Sequence, residues 1–240
     1  MPFGKGSRAM PASLNIERLE AVAVALGEML AETAFVGGAV VELYVDDPAA
    51  PAVRNTADVD CVVPVTAKSG MHRWEEKLRA RGFRNDIRQG APICRWTYGD
   101  TIVDIMPAEG DVLGFTNPWY GEGLENTEPY VLPSGKVIRL FALPWYVATK
   151  MAAVAGRGGG DLRFSHDFED VIYLWDCIPD FVERLGKASG ALRSWLSSEL
   201  AGWKARSEWR EAVECCVEQG SAGRVARILK ECEAFSSPRS

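Results

Sequence analysis

Three aspartates stand where acids are costly. The segment RNTADVDCVVPV, residues 54–65, carries Asp58 and Asp60 at the head of an apolar, β-branched run. Further on, TIVDIMP sets Asp104 among Ile102, Val103, Ile105 and Met106. Aspartate is disfavoured in strands, and a buried carboxylate is expensive unless its charge is compensated. Side chains alternate along a strand, so Asp58, Asp60 and Val62 share one face. Two adjacent carboxylates repel unless a cation lies between them. Magnesium suits such a place, because it takes oxygen ligands, commonly one or two carboxylates together with substrate phosphates. If the strand of Asp104 lies beside that of Asp58 and Asp60, three acids converge on one metal-binding rim, as in two-metal phosphoryl- or nucleotidyl-transfer sites. Blander alternatives stay open: Asp58 in the preceding loop, Asp60 at a sheet edge, and Asp104 paired with Arg95 across a hairpin.

Other residues carry weaker signals. Gly37 and Gly38 follow a short strand and open a helix, where phosphate oxygens can approach backbone N–H groups; tight strand–helix packing explains the pair equally well. Lys150 has Tyr146, Val147, Ala153 and Val154 at helical spacing around it. A lysine in such a stripe either reaches outward or points at an anion such as a triphosphate. Asp167 and Asp170 share a helical face, which acids in a first helical turn also explain.

These residues need elements to position them. Residues 15–32 have helical periodicity with Asn15 as cap. TAFVGGAVVELYV reads as strand Phe35–Val36, the double glycine and a helix start, and DDPAAPAVRN as a loop. ADVDCVVPV is the second strand, and KSGMHRWEEKLRARG a charged helix. PICRWTYGDTIVDIMP and YVLPSGKVIRLF read as hairpins turning at Gly99-Asp100 and Ser134-Gly135. LPWYVATKMAAVAGR is a helix with Pro144 in its first turn, GGGD breaks it, and residues 165–178 resume with Ser165 as cap. Phe181–Ser236 is polar and helical. The fold class is therefore α+β. Residues 1–142 form an α+β core with an N-terminal helix, and 143–240 a helical region that completes the site.

Bulk properties narrow the field. With 27 basic and 33 acidic residues the net charge is −6, which argues against a surface that coats nucleic acid. The last sixty residues hold ten Lys/Arg and eight Glu, a solvated helical surface before a polyanion contact. The six cysteines lack C-x-x-C spacing and only His72 and His166 are present, so a structural zinc site is not expected. The opening MPFGKGSRAMPASLN has no apolar signal-peptide core, and no run suits a membrane span, so a cytoplasmic protein without membrane partners is expected.

VGGAVVELYV, RNTADVD, VDIMP and ATKMAAVAGRGGGDLRFSHDFEDVIYL together resemble the AbiEii/AbiGii toxin-type nucleotidyltransferases of the DNA polymerase β-like superfamily. The resemblance covers roughly residues 35–178. It implies a polymerase β-like core, a mixed sheet flanked by helices, with a C-terminal helical region. It implies that Gly37, Gly38 and Thr56 belong to the nucleotide-phosphate site, and that Asp58, Asp60 and Asp104 ligate a two-ion Mg²⁺ centre. Asp104 would also help deprotonate the attacking hydroxyl. Lys150 would neutralise the triphosphate, and Asp167 and Asp170 would hold the nucleotide or Lys150. The reaction would be ATP- or other NTP-dependent transfer of NMP to an acceptor hydroxyl. The acceptor could be tRNA, with a cognate antitoxin as partner in a type IV-like toxin–antitoxin pair, or a small molecule such as an aminoglycoside. Gly-Gly replaces the Gly-Ser of many superfamily members, as is usual in this branch.

Two rivals remain. An HD-type phosphohydrolase is suggested by His166-Asp167 and His72, but no aspartate follows Asp180 to supply further ligands. A non-catalytic nucleotide- or partner-binding module is the other. Trp119-Tyr120, Trp195, Trp203 and Trp209 could stack on bases, although tryptophans at helical spacing more often pack.

Overall fold

The computed structural model describes residues 13–114, 117–156, 160–188, 190–218 and 220–236. The strands are β1 (Ala34–Val36), β2 (Asp58–Val63), β3 (Arg84–Asn85), β4 (Arg95–Tyr98), β5 (Thr101–Pro107), β6 (Thr127–Val131) and β7 (Val137–Phe141), the central ones drawn from apolar runs and β3 an exposed polar pair at the edge. They join in one seven-stranded sheet in the order β3-β4-β5-β2-β1-β7-β6. β2 runs parallel to β5 and β1 parallel to β7, while the other neighbours are antiparallel. The class is α+β, a mixed sheet flanked by helices. Both expected hairpins form, β4–β5 and β6–β7. Glycine makes each turn, Gly99 at φ 55° and Gly135 at φ 83°, a left-handed conformation that costs other residues energy.

The helices are α1 (Leu14–Leu26), α2 (Lys68–Ala80), α3 (Tyr120–Glu125), α4 (Leu143–Gly156), α5 (His166–Cys177), α6 (Phe181–Gly186), α7 (Gly190–Lys204), α8 (Trp209–Cys216) and α9 (Ala222–Ser236). Two expectations are corrected. Ser13, not Asn15, caps α1, its hydroxyl accepting from the Ile16 N–H at 3.1 Å. The helix expected to reach residue 32 ends at Gly27 (φ 55°), where the Arg81 guanidinium occupies the space of a Cβ. A 3₁₀ turn, Gly27–Glu32, continues the chain. The helix start after the double glycine is likewise a 3₁₀ turn, Gly38–Tyr44. Ser165 caps α5 as expected, accepting from the Phe168 N–H.

The sheet ends at Phe141 and helices follow from Leu143, yet one apolar cluster runs through both parts. Phe35, Val62 and Ile105 from the sheet meet Leu19 and Leu26 of α1, and Tyr146, Phe168 and Trp175 of α4 and α5. Full burial of each such side chain stabilises the fold by about 1.5–3 kcal/mol. Among the described residues no helix is long and apolar enough to cross a membrane. The first twelve residues, and residues 157–159 of the glycine break, lie outside the described residues.

Candidate active site

Strand register gathers the acids. Asp60 of β2 stands opposite Asp104 of β5, Val36 of β1 lies on its other side, and Asp104 faces Arg95 of β4. Cross-strand partners point to the same face, so Val36, Asp60, Asp104 and Arg95 form a row across four neighbouring strands. Asp58, two residues before Asp60, shares that face, and it is the first residue of β2 rather than part of the loop. Asp104 is buried, while Asp58 and Asp60 are part-buried.

The arginine partnership left open above is present. Arg95 Nε donates to Asp104 Oδ1 at 2.9 Å and Arg95 Nη2 to Asp104 Oδ2 at 2.7 Å, a bidentate pair. The same Nη2 reaches Asp58 Oδ2 at 3.2 Å. Asp60 lies outside this clamp. Burial, reinforced by the charges of Asp58 and Asp104, raises its carboxyl from 3.8 to about 7, against a smaller opposing pull from Lys150.

The double glycine is explained by what lies against it. Gly37 adopts φ 73°, and a Cβ there would fall 1.8 Å from Asp60 Oδ2. A Cβ on Gly38 would meet Thr56 Cγ2 at 2.5 Å. The turn is held from above by Tyr146 of α4, whose hydroxyl donates to the Gly37 carbonyl at 2.7 Å. Buried Asn15 of α1 anchors the loop before β2. Its side-chain amide donates to the Arg54 carbonyl at 3.1 Å and accepts from the Thr56 N–H at 3.0 Å. Arg18 adds a hydrogen bond to the Thr56 carbonyl. The Thr56 hydroxyl donates to the Asp58 carbonyl at 3.0 Å, so it braces the loop that delivers Asp58.

Lys150 does not reach outward but points at anions, and those anions are the carboxylates of Asp167 and Asp170. The lysine is buried, 5% exposed, and its Nζ donates to Asp170 Oδ2 at 2.6 Å and Asp167 Oδ1 at 3.1 Å. Burial by itself would lower the ammonium's proton affinity, but Asp170 and Asp167 carry it above its ordinary value. Asp170 also accepts from Arg54 Nη2 at 3.2 Å, which ties the loop before β2 to α5. Two cations thus meet two carboxylates where α4 and α5 pack.

A cavity of about 310 Å³ opens over the row. Gly37, Asp60, Asp104, Lys150 and Asp167 line it, together with Tyr120, Asn117 and Cys94. Gly38, Thr56, Asp58 and Asp170 are not on its walls, although Asp170 holds Lys150, which is. Sequence reasoning passed over Arg54, Tyr146 and the anchoring role of Asn15. A polar Asn in the first turn of an otherwise apolar helix face was the available signal, but its partners lie about forty positions away.

The rival features lie elsewhere. His72 and His166 are exposed, each beside a glutamate of its own helix, Glu76 and Glu169. Trp203 and Trp209 pack on Phe168, and Trp119 packs on Trp195, so their faces serve the core rather than a base. Compared with models of known protein families and with curated proteins, the chain matches none.

The acid row also bears on the divalent ion implied by the resemblance. Among the described residues no three His, Cys, Asp or Glu side chains are grouped as ready metal ligands. Arg95 engages both oxygens of Asp104 and one of Asp58. The donor chemistry nonetheless fits: oxygen ligands only, a mutually repelling carboxylate set, and a guanidinium already standing where positive charge is required.

Proposed function

We propose that this chain is a Mg²⁺-dependent nucleotidyltransferase with a polymerase β-like core, of the AbiEii/AbiGii toxin type, and that tRNA is its acceptor. The observation that carries this reading is the direct opposition of Asp60 and Asp104 on parallel strands. They lie on the walls of a cavity bounded by the Gly37 turn and Lys150. Asp60 would hold Mg²⁺, which would supply charge stabilisation at the α-phosphate. The acceptor hydroxyl oxygen bonds to the α-phosphorus, the α–β phosphoanhydride bond breaks, and pyrophosphate leaves with the bridging oxygen. The hydroxyl proton passes to a carboxylate of the row. The Gly37 turn keeps space beside Asp60 that any side chain would fill. Lys150 directs two of its three donors at Asp167 and Asp170, and the third is suited to a phosphate oxygen.

The Arg95 clamp favours a second reading, in which the acids are a structural ion-pair lattice in a non-catalytic module. Incubation with each α-labelled NTP and Mg²⁺, alone, with total tRNA, or with an aminoglycoside, separates the two. Label transferred to tRNA by the wild type and lost in Asp60→Asn supports the proposal. Transfer to an aminoglycoside, or to the chain itself, overturns the tRNA acceptor. Absence of transfer and of NTP consumption under all conditions overturns catalysis.

A further inference from the structure

We infer that Arg95 is a built-in cation that takes the place of one of the two divalent ions, so that the site binds a single ion, beside Asp60. This rests on the nucleotidyltransferase reading and says what kind of centre it has. The resemblance implies that all three aspartates share a two-ion site. The geometry assigns one of those places to the protein itself.

Both oxygens of Asp104 already accept from Arg95, at 2.9 and 2.7 Å, so its charge is matched by the guanidinium and an ion placed there would stand against a fixed positive charge. The Nη2 that binds Asp104 also reaches Asp58 at 3.2 Å, bridging two acids as a shared metal ion would. Backbone register enforces the arrangement. Arg95 is paired with Asp104 in the β4–β5 hairpin, so the guanidinium is delivered to the row by the sheet and not by a mobile loop. A guanidinium keeps its charge at any physiological pH and matches a carboxylate with two parallel donors. Three carboxylates and one guanidinium leave two negative charges, the complement of one divalent cation. Asp60, which Arg95 does not hold, lies on the wall of the cavity with open space before it.

The test is a count of Mn²⁺ ions per chain by equilibrium dialysis with electron paramagnetic resonance. Wild type, Arg95→Gln and Arg95→Lys are compared in the presence of a non-hydrolysable NTP analogue, with circular dichroism to confirm folding. One ion is expected in wild type and in Arg95→Lys, which keeps the charge, and two in Arg95→Gln. Two ions in wild type overturn the inference whatever the variants do, and leave the nucleotidyltransferase reading standing. One ion in both wild type and Arg95→Gln also overturns it, since Arg95 is then not what limits the count. If wild type and both variants bind none, the metal-dependent reading fails together with the inference.

Discussion

Replacing Asp60 by asparagine should stabilise the protein while abolishing its chemistry, and the stability change should depend on pH in a defined direction. Asparagine has the shape of a protonated aspartate but cannot ionise. In the folded chain the Asp60 carboxyl is raised from 3.8 to about 7. Between about pH 4 and 7 the folded form therefore keeps a proton that the unfolded chain has released, so acid favours folding and the contribution is lost as pH rises through 7. The rise is about three powers of ten in proton affinity, and each is worth about 1.4 kcal/mol, which sets a ceiling of about 4 kcal/mol. Water reaching this part-buried carboxyl lowers that to about 2–4 kcal/mol. Urea unfolding of both chains in chelator at pH 4, 5, 6, 7 and 8 measures it. The two curves should coincide near pH 4, separate steadily, and run parallel above pH 7 with Asp60→Asn the more stable. Millimolar Mg²⁺ should narrow the gap at pH 8, because an ion bound only to the folded wild type stabilises it by mass action. A gap that does not change with pH, or a variant less stable than wild type at pH 8, would refute the claim that Asp58, Asp104 and burial make Asp60 a strained anion.

Lys150→Met should lower stability by about 3–5 kcal/mol in urea unfolding, because it leaves two buried carboxylates without their shared cation. A loss under about 1 kcal/mol would contradict the buried pair. Gly37→Ala should cost at least about 1–2 kcal/mol from the left-handed backbone alone. Its Cβ must also push the Asp60 carboxylate aside, so NTP-dependent transfer should fall more than stability does.

The secondary structure of this chain was largely legible in local pattern. Alternation and turn residues marked both hairpins, helical spacing marked α2, α4 and α5, and the oddity of aspartates in apolar strands marked the acids. Such signals act over a few residues, so they survive without knowledge of the fold. The 3₁₀ turns at Gly27 and Gly38 were less legible, because what bounds them is distant: Arg81 against one glycine, Thr56 and Arg54 against the other. Asn15 was misjudged for the same reason, its partners being the backbone at 54 and 56.

The residue types of the site were therefore set by the sequence alone, as was the face that Asp58 and Asp60 share. Only the tertiary structure decided that Asp60 meets Asp104, that Arg95 rather than water or another acid completes the row, and that Lys150 lies buried between Asp167 and Asp170. A side chain's face follows from local backbone geometry. Its charge partner follows from strand register and helix packing, which are settled by the burial of apolar surface across the whole core.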